Sequence, residues 1–107
     1  MNPQIPRIGP VVYYIQRPQG IKIGHTVNLG RRMRELRVRE VLAIEPGSRS
    51  TELERHAEFA TDRIDRQSET FRPSPQLMAH IARLRDEMIP VPYDVLQPRP
   101  RRARGLA

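Results

Sequence analysis

The sequence predicts an α+β domain with a small three-stranded antiparallel sheet and about three helices packed on it. Two runs rich in β-branched and aromatic residues, 11–15 and 21–24, flank a short turn and therefore predict a β-hairpin. Apolar residues at helical spacing follow, giving the order strand, strand, helix, strand, helix, helix. Because strands joined by a hairpin run antiparallel, this order indicates the α+β class.

The hairpin turn and the first helix have clear sequence signals. Pro18 at the second turn position and Gly20 at the fourth are typical of a tight turn. Thr26 or Asn28 can cap a helix that begins by Leu29. The apolar face of this helix, spaced i, i+4 and i+7, consists of Leu29, Met33 and Leu36.

Residues 38–44 predict the third strand, which Pro46 ends. In the second helix, Thr51 and Glu54 have the spacing of a capping box. Two faces of this helix stand out, and we expect the apolar one to contribute to the core. The apolar face consists of Leu53, Ala57, Ala60 and Ile64, and the second face consists of Glu52, His56 and Phe59.

The last third of the domain is predicted to be a loop followed by a helix. Residues 63–68 predict a polar connection and residues 69–73 a short irregular segment. Ser74 is a capping residue and Pro75 is suited to the first helical turn, so a third helix begins here. Its predicted core face consists of Leu77, Ile81, Leu84 and Met88.

The 107 residues are enough for one small domain, which we place at residues 10–90. Residues 1–9 predict a loose lead-in, and the Pro- and Arg-rich residues 91–107 predict a disordered tail, with binding of a partner as the alternative. No apolar run reaches membrane-spanning length, so no membrane association is expected. The first ten residues also lack the basic and apolar stretches of a secretory signal. We therefore expect a cytoplasmic protein of a bacterium or a phage-infected cell.

The net charge and the composition limit the possible binding partners and the possible kinds of site. A net charge of +7 predicts a polyanionic partner, and nucleic acid is the commonest one; the alternative is charge that only keeps the chain soluble. The absence of cysteine excludes disulfides, cysteine zinc sites and a thiol nucleophile. Eighteen of the nineteen basic residues are Arg, so the single lysine, Lys22, is notable, because an ammonium is a compact charge that Arg does not mimic.

Hydrolysis of a phosphodiester needs a group that activates water, a cation to offset phosphoryl charge and, in most enzymes, a metal with oxygen ligands. The predicted hairpin brings Tyr13 near Lys22, and Arg32 lies on the helix that follows. Glu52 and His56 are one helical turn apart. Each residue alone also has a structural interpretation, as a half-buried or solvated side chain, and Glu52 suits the first turn of any helix.

Taken together and in order, these residues resemble a GIY-YIG nuclease domain over residues 11–85, and in particular its branch of phage and meiotically up-regulated proteins. The resemblance rests on Val11-Val12-Tyr13-Tyr14-Ile15, Lys22-Ile23-Gly24-His25-Thr26, Asn28-Leu29-Gly30-Arg31-Arg32, Glu52-x-x-x-His56-x-x-Phe59 and Glu69-Thr70-Phe71-Arg72-Pro73-Ser74. A lysine at the position of Lys22 is usual in that branch, where the family name has tyrosine.

The resemblance implies a role for each matched residue. Tyr13 helps to activate the attacking water, Gly24 lets the chain pass close to the site, Arg32 contacts the phosphate, and Glu52 holds one Mg²⁺ or Mn²⁺ ion. Apart from the resemblance, we expect supporting roles for His25 and His56 and nucleic-acid contacts by Arg31, Arg32 and Arg34. The ammonium of Lys22 cannot accept a proton, so it would orient the water, act on Tyr13 by its charge or offset phosphate charge. Glu69 receives no catalytic role, because Thr70 stands where the branch has tryptophan.

Two functions follow as expectations. The first is a metal-dependent DNA endonuclease that uses Tyr13, Lys22, Arg32 and Glu52. The second is a DNA-binding module of the same fold that holds phosphates without cutting them. Binding of RNA by stacked aromatic residues is disfavoured, because there are only five aromatic residues and the core needs most of them. A partner subunit or a homodimer would suit so small a domain, although no residue pattern predicts either.

Overall fold

The computed structural model describes residues 9–38 and 40–87. Its strands are β1 (Val11–Arg17), β2 (Gly20–Thr26), β3 (Val41–Pro46), β4 (Arg63–Asp65) and β5 (Thr70–Phe71), and its helices are α1 (Leu29–Leu36), α2 (Arg49–Glu58) and α3 (Pro75–Glu87). A single 3-10 turn, Ala60–Asp62, joins α2 to β4. No helix in the described part of the chain is long and apolar enough to cross a membrane. The predicted tail and residues 1–8 of the predicted lead-in lie outside the described residues.

The sheet is built around β1, which is buried on both faces. The strand order is β3-β1-β2-β5-β4, and every neighbouring pair is antiparallel. All five residues from Val11 to Ile15 are buried, which explains why this segment reads as a continuous apolar run rather than an alternating one. Alternate side chains of β1 point to opposite faces of the sheet. Those on one face, including Tyr13, pack with α1. Those on the other face, including Tyr14, belong to the core cluster that contains Phe59, Leu77 and Ile81.

The predicted α+β class is correct, but the prediction of three strands is wrong, because the sheet has five. The two additional strands, β4 and β5, are only three and two residues long and lie in segments predicted to be a polar connection and an irregular stretch. Pairs this short leave no alternating pattern in the sequence. They form because β5 pairs with β2, through Ile21↔Phe71 and Lys22↔Thr70, and β4 then pairs with β5.

Helix α1 begins and ends with capping contacts that also shift the start of β3. Asn28 is the N-cap, and its side chain accepts a hydrogen bond from the Arg31 amide at 3.0 Å, as predicted. At the other end Arg37 adopts a left-handed conformation, and the amide of Val38 donates to the Met33 carbonyl at 2.9 Å. These bonds are those of a Schellman motif. Because Val38 takes part in the cap, β3 begins at Val41 and not at the predicted residue 38.

Two predictions for α2 are wrong. The helix is capped by Ser48, whose partner in the capping box is Thr51, so the box lies three residues before the predicted one. Its buried face is also the opposite of the expected one. The predicted apolar stripe points outward, with Leu53 51% exposed and Ile64 44% exposed, whereas Glu52, His56 and Phe59 are buried.

Helix α3 largely follows its prediction. The Ser74 hydroxyl accepts a hydrogen bond from the Leu77 amide at 3.1 Å and caps the helix. Leu77 and Ile81 are buried in the core, and Leu84 packs partly buried against it. Met88, the fourth residue of the predicted core face, lies outside the described residues. Helix α3 packs on β3, and its buried apolar residues join the core cluster that contains Tyr14 and Phe59.

Candidate active site

Tyr13 and Gly24 face each other across the hairpin, and Arg32 reaches the same point from α1. The register pairs Tyr13 with Gly24, and a Cβ built on Gly24 would lie 2.5 Å from the Tyr13 hydroxyl oxygen. The Arg32 Nε–H points to this oxygen at 3.5 Å, a long contact, while Nη1 donates to Glu35 Oε1 at 3.2 Å. The contacts with Tyr13 and Glu35 raise the pKa of Arg32. The guanidinium therefore stays charged next to the buried phenol.

Glu52 is a buried carboxylate on the first turn of α2, held between two histidines. It is 3% exposed. His25 Nδ1 lies 2.5 Å from Glu52 Oε1, and His56 Nε2 lies 3.5 Å from Oε2. His56 Nε2 also lies 2.9 Å from the carbonyl oxygen of Ile23, which can only accept, so this nitrogen carries the proton. Both rings thus fix the Glu52 carboxylate beside β2.

Glu69 brings a second carboxylate to the same place. It lies in the turn between β4 and β5 with a positive φ of 58°, which is uncommon for a residue other than glycine. Its carbonyl accepts from the Ile23 amide at 3.2 Å, and its Oε1 lies 3.1 Å from the Lys22 ammonium. Partial burial would raise the pKa of Glu69, but the hydrogen bond and charge of Lys22, with contributions from Glu52 and His56, lower it below its ordinary value.

A second buried polar cluster lies on the face of β1 that carries Tyr14. The Tyr14 hydroxyl donates to Glu45 Oε2 at 2.5 Å, and Arg55 on α2 binds both Glu45 oxygens at 2.8 Å. His80 Nε2 lies 2.9 Å from the Tyr14 hydroxyl, and Arg83 donates to His80 Nδ1 at 2.8 Å. Since Nδ1 accepts, the proton of His80 is on Nε2 and the ring is neutral. The cluster fastens α2 and α3 to β1 and β3.

These contacts set the ionisation of the cluster. Burial would raise the pKa of Glu45, but the hydrogen bonds from Arg55 and Tyr14 and the nearby positive charge lower it overall. Burial, together with the hydrogen bond and charge of Glu45, raises the pKa of the Tyr14 phenol far above its ordinary value. Tyr14 therefore stays protonated and acts as a donor. Its chemistry differs from that of Tyr13, whose hydroxyl faces a cation.

The predicted nucleic-acid contacts lie on the outer side of α1. Arg31 and Arg34 are exposed, and Arg31 forms an ion pair with Glu35 at 3.3 Å. Exposed pairs of this kind are weak and readily exchanged for other partners. Arg32, one residue further along than Arg31, joins this surface to the Tyr13 hydroxyl.

The family model of the T5orf172 domain matches residues 11–87. The chain belongs to this family. The match covers all the elements from β1 to α3, and therefore both carboxylates and the Tyr13–Gly24 pair. The T5orf172 domain is a nuclease-like, DNA-binding type of domain, which agrees with the basic charge of the chain. No curated protein and no solved structure matches the chain.

This family membership corrects the assignment made from the motifs. The sequence resemblance pointed to the GIY-YIG superfamily and its phage and meiotically up-regulated branch. The matching family is the T5orf172 domain, which is distinct from GIY-YIG although it is associated with proteins adjacent to it. The short blocks that carried the resemblance all lie within residues 11–87, which the T5orf172 family model matches.

The donor atoms of the T5orf172 domain fit a divalent cation with oxygen ligands. Ligand atoms of Glu52, His56 and Glu69 lie within 4.8 Å of one another. The His56 nitrogen nearest Glu52 is already a donor to Ile23, so the two carboxylates are the better ligands and His56 orients Glu52. Two carboxylates this close repel each other unless a proton or a cation lies between them. Mg²⁺ is commonly held by one or two carboxylates and completes its shell with water.

The structure brings the predicted site residues together in two groups along β2. Tyr13, Gly24 and Arg32 form one group, and Glu52, His25 and His56 form the other. Lys22 lies on the same strand, but its ammonium binds Ser68 and Glu69, so the hydrogen bonds of the described residues give no support to an action on Tyr13.

Glu69 is the residue that the sequence analysis did not assign. No local sequence signal placed it, because its position follows from the strand pairing of Thr70 and Phe71 with Lys22 and Ile21 on β2. A residue just outside that short pairing has to lie beside the neighbouring part of β2. The absence of tryptophan at position 70 therefore says nothing about the carboxylate at position 69.

Proposed function

We propose that this T5orf172 domain is a metal-dependent endonuclease that hydrolyses phosphodiester bonds in DNA. One observation carries the proposal: the buried Glu52 carboxylate lies close to the Glu69 carboxylate beside β2, the strand whose Gly24 makes room for the Tyr13 hydroxyl. Burial of two carboxylates in a hydrophobic core is unfavourable, whereas a bound cation offsets their charge. A setting in the cytoplasm of a bacterium or a phage-infected cell stays part of the proposal, in keeping with the absence of cysteine.

In this proposal Glu52 and Glu69 hold one Mg²⁺ or Mn²⁺ ion. When bound, such an ion offsets negative charge on the phosphoryl oxygens and makes its water more acidic. His25 and His56 keep the Glu52 carboxylate in position from either side, at 2.5 Å and 3.5 Å. These contacts orient a ligand before the ion arrives, which raises affinity because less order has to be gained on binding.

Tyr13 and Arg32 would act on the water and the phosphate. The Arg32 Nε–H points at the Tyr13 oxygen, so this oxygen can accept from Arg32 while its own O–H donates to another group. We infer that the Tyr13 hydroxyl orients the attacking water through a hydrogen bond and so helps to activate it. Arg32 then offsets charge on the phosphate oxygens, a role that suits its planar set of donors. Gly24 provides the space in which this phenol lies.

The exposed arginines of α1 would hold the DNA backbone. Arg31 and Arg34 are the residues predicted for this role, and they lie on the helix that also carries Arg32. Contacts to phosphates fix the position of a nuclease on DNA without reading its sequence. This arrangement would direct a backbone bound on α1 toward the Tyr13 hydroxyl.

Nicking of a supercoiled plasmid with Mg²⁺ or Mn²⁺ tests the proposal. The wild type is expected to nick, and Glu52→Ala is expected to abolish nicking while DNA binding in a shift assay is kept. Glu54→Ala is the matched control, since it removes an exposed carboxylate from the same helix. Absence of nicking by the wild type with both metals, in a preparation that binds DNA, would overturn the proposal.

The second candidate is a DNA-binding module without catalysis, which the net charge of +7 favours. In that case binding would be tight and would weaken steeply with salt, because phosphate contacts release counterions. Such binding would be the same with and without metal. The plasmid assay and the shift assay together therefore separate the two candidates.

A further inference from the structure

Lys22 occupies an unusual position for the only lysine among nineteen basic residues. Its side chain is 14% exposed, and the ammonium donates to the Glu69 carboxylate at 3.1 Å and to the Ser68 carbonyl at 3.2 Å. Glu69 is the same carboxylate that lies close to Glu52. The site therefore already contains a cation, supplied by the chain, next to its pair of carboxylates.

We propose that Lys22 and a divalent metal ion compete for the Glu69 carboxylate, so that metal binding frees the Lys22 ammonium for the phosphate of the substrate. The inference rests on the proposed metal-dependent function and concerns the regulation of that site. It makes Glu69, the second carboxylate of the proposed metal site, the group for which both cations compete. It also makes Lys22 a residue with two partners, Glu69 before the metal binds and phosphate afterwards.

The backbone around Glu69 supports this exchange. Its carbonyl accepts from the Ile23 amide, and the next residue, Thr70, pairs with Lys22 in the sheet. The Glu69 side chain therefore starts from a fixed point beside β2. With Lys22 on one side and Glu52 on the other, the carboxylate exchanges one cation for another without movement of the fold.

The chemistry of lysine suits an ammonium that has to leave the Glu69 carboxylate when a metal ion binds. An ammonium on a flexible four-carbon chain makes single, rotatable hydrogen bonds and is readily rehydrated. Arginine would bind the carboxylate with two parallel hydrogen bonds and hold it more firmly. Arg55 holds Glu45 in that way in the neighbouring cluster, at 2.8 Å to both oxygens. Lysine at position 22 keeps the carboxylate neutralised and still available.

Binding of Mn²⁺ to the full chain without DNA, measured by calorimetry, tests the competition. Lys22→Met is expected to bind Mn²⁺ about two- to five-fold more tightly, the range that loss of one competing ion pair gives. Glu69→Gln is expected to bind at least ~10-fold more weakly. In the double variant Lys22→Met/Glu69→Gln, the gain from removing the lysine is expected to vanish. A gain of equal size in the double variant would mean simple charge repulsion and would overturn the exchange.

The single lysine allows a direct observation of its side chain in the wild type. With ¹³C- and ¹⁵N-labelled lysine, the chain gives one side-chain signal, and Mg²⁺ is expected to move it toward the position of a free, hydrated ammonium. In Glu69→Gln the signal is expected to start near that position and to stay there.

The outcomes separate the two proposals. A wild type that nicks plasmid and binds Mg²⁺ while its lysine signal does not move would overturn the competition and leave the endonuclease proposal intact. A wild type that binds no metal would overturn both. A moving lysine signal in a protein that never nicks would support the exchange and contradict only the catalytic function.

Discussion

The hydroxyl of Tyr13 lies in the space that a side chain on Gly24 would fill. A Cβ at position 24 would come within 2.5 Å of the phenolic oxygen and 2.6 Å of the ring carbon that bears it. The absence of a side chain on β2 thus determines where the phenol of β1 lies. This relationship gives a physical reason for glycine in the Lys22-Ile23-Gly24 segment, in the middle of a strand where glycine is otherwise unfavourable.

Gly24→Ala is therefore expected to displace the Tyr13 ring and to abolish nicking as Tyr13→Phe would. Because the ring is buried and cannot turn into solvent, the strain is expected to lower the free energy of unfolding by about 1–3 kcal/mol. Chemical denaturation and the plasmid assay measure the two effects.

Gly30→Ala is the matched control for that prediction. At position 30 a Cβ meets only the end of the Arg34 side chain, at 3.6 Å, and the residue is helical. Alanine there is expected to raise the free energy of unfolding by about 0.5–1 kcal/mol. Equal effects of the two substitutions would show that Gly24 provides no special space.

Arg55→Met is expected to be among the most destabilising single changes in the cluster around Tyr14. It leaves the buried Glu45 carboxylate without its main partner, a situation that costs about 2–5 kcal/mol. The double variant Glu45→Met/Arg55→Met is expected to recover much of this loss, because an apolar pair of similar size no longer buries a charge.

Urea denaturation of both variants measures these differences. Glu58→Gln is the control, since Glu58 is the other and more exposed partner of Arg55, and an exposed ion pair contributes at most about 1 kcal/mol. If Arg55→Met were no worse than Glu58→Gln, the buried pair with Glu45 would not be what fastens α2 to β3.

Stability is expected to fall as the pH drops below about 6.5, because of His80. Burial lowers the pKa of His80 below the ordinary histidine value of 6.5. As the pH falls, the unfolded chain therefore takes up a proton on His80 before the folded chain does. The stability that neutral His80 contributes is complete above pH 6.5 and is lost below it, by at most about 1.4 kcal/mol per pH unit. The pKa of Glu45 is also lowered, so Glu45 adds a loss of stability only below about pH 4.5, the ordinary pKa of a glutamate. The charged groups around the ring are Glu45, Arg55, Glu58 and Arg83.

Thermal unfolding between pH 7.5 and pH 5 measures this dependence. In His80→Gln, an amide can still donate to Tyr14 and accept from Arg83, so the fold is kept while the titration is removed. The Tm of this variant is expected to change less over that interval. An unchanged slope would assign the pH dependence to another group.

The second helix shows why the sequence predicted its position but not its orientation. Leu53, Ala57 and Ile64 offered a plausible core face, and on apolar content alone it ranks above the face with Glu52 and His56. In the structure the polar face is turned inward, because Glu52 finds His25 and His56 finds the Ile23 carbonyl. Such partners come from β2, which is distant in the sequence, so periodicity within one helix cannot reveal them.

The positions of the hairpin residues could be predicted because they depend on a signal that is local in the sequence. The register that pairs Tyr13 with Gly24 follows from a two-residue turn at Pro18 and Gln19, which is a local signal. The place of Glu69 depends instead on the two-residue strand β5, which exists only because β2 offers it a pairing edge. The contact between Lys22 and Glu69 spans 47 positions and has no local signature.

The affinity for DNA is expected to depend on the charge of α1: removal of a positive charge weakens binding, and removal of a negative charge strengthens it. Arg34→Ala removes an exposed cation, so it is expected to weaken binding of any DNA sequence and to lower the salt slope by about one. Glu35→Gln removes the carboxylate that Arg31 and Arg32 share, at 3.3 and 3.2 Å, which leaves both guanidinium groups to the phosphates. Glu35→Gln is therefore expected to tighten binding and to steepen the salt dependence. Shift assays on one duplex at several salt concentrations measure both, and weaker binding by Glu35→Gln would place the DNA away from α1.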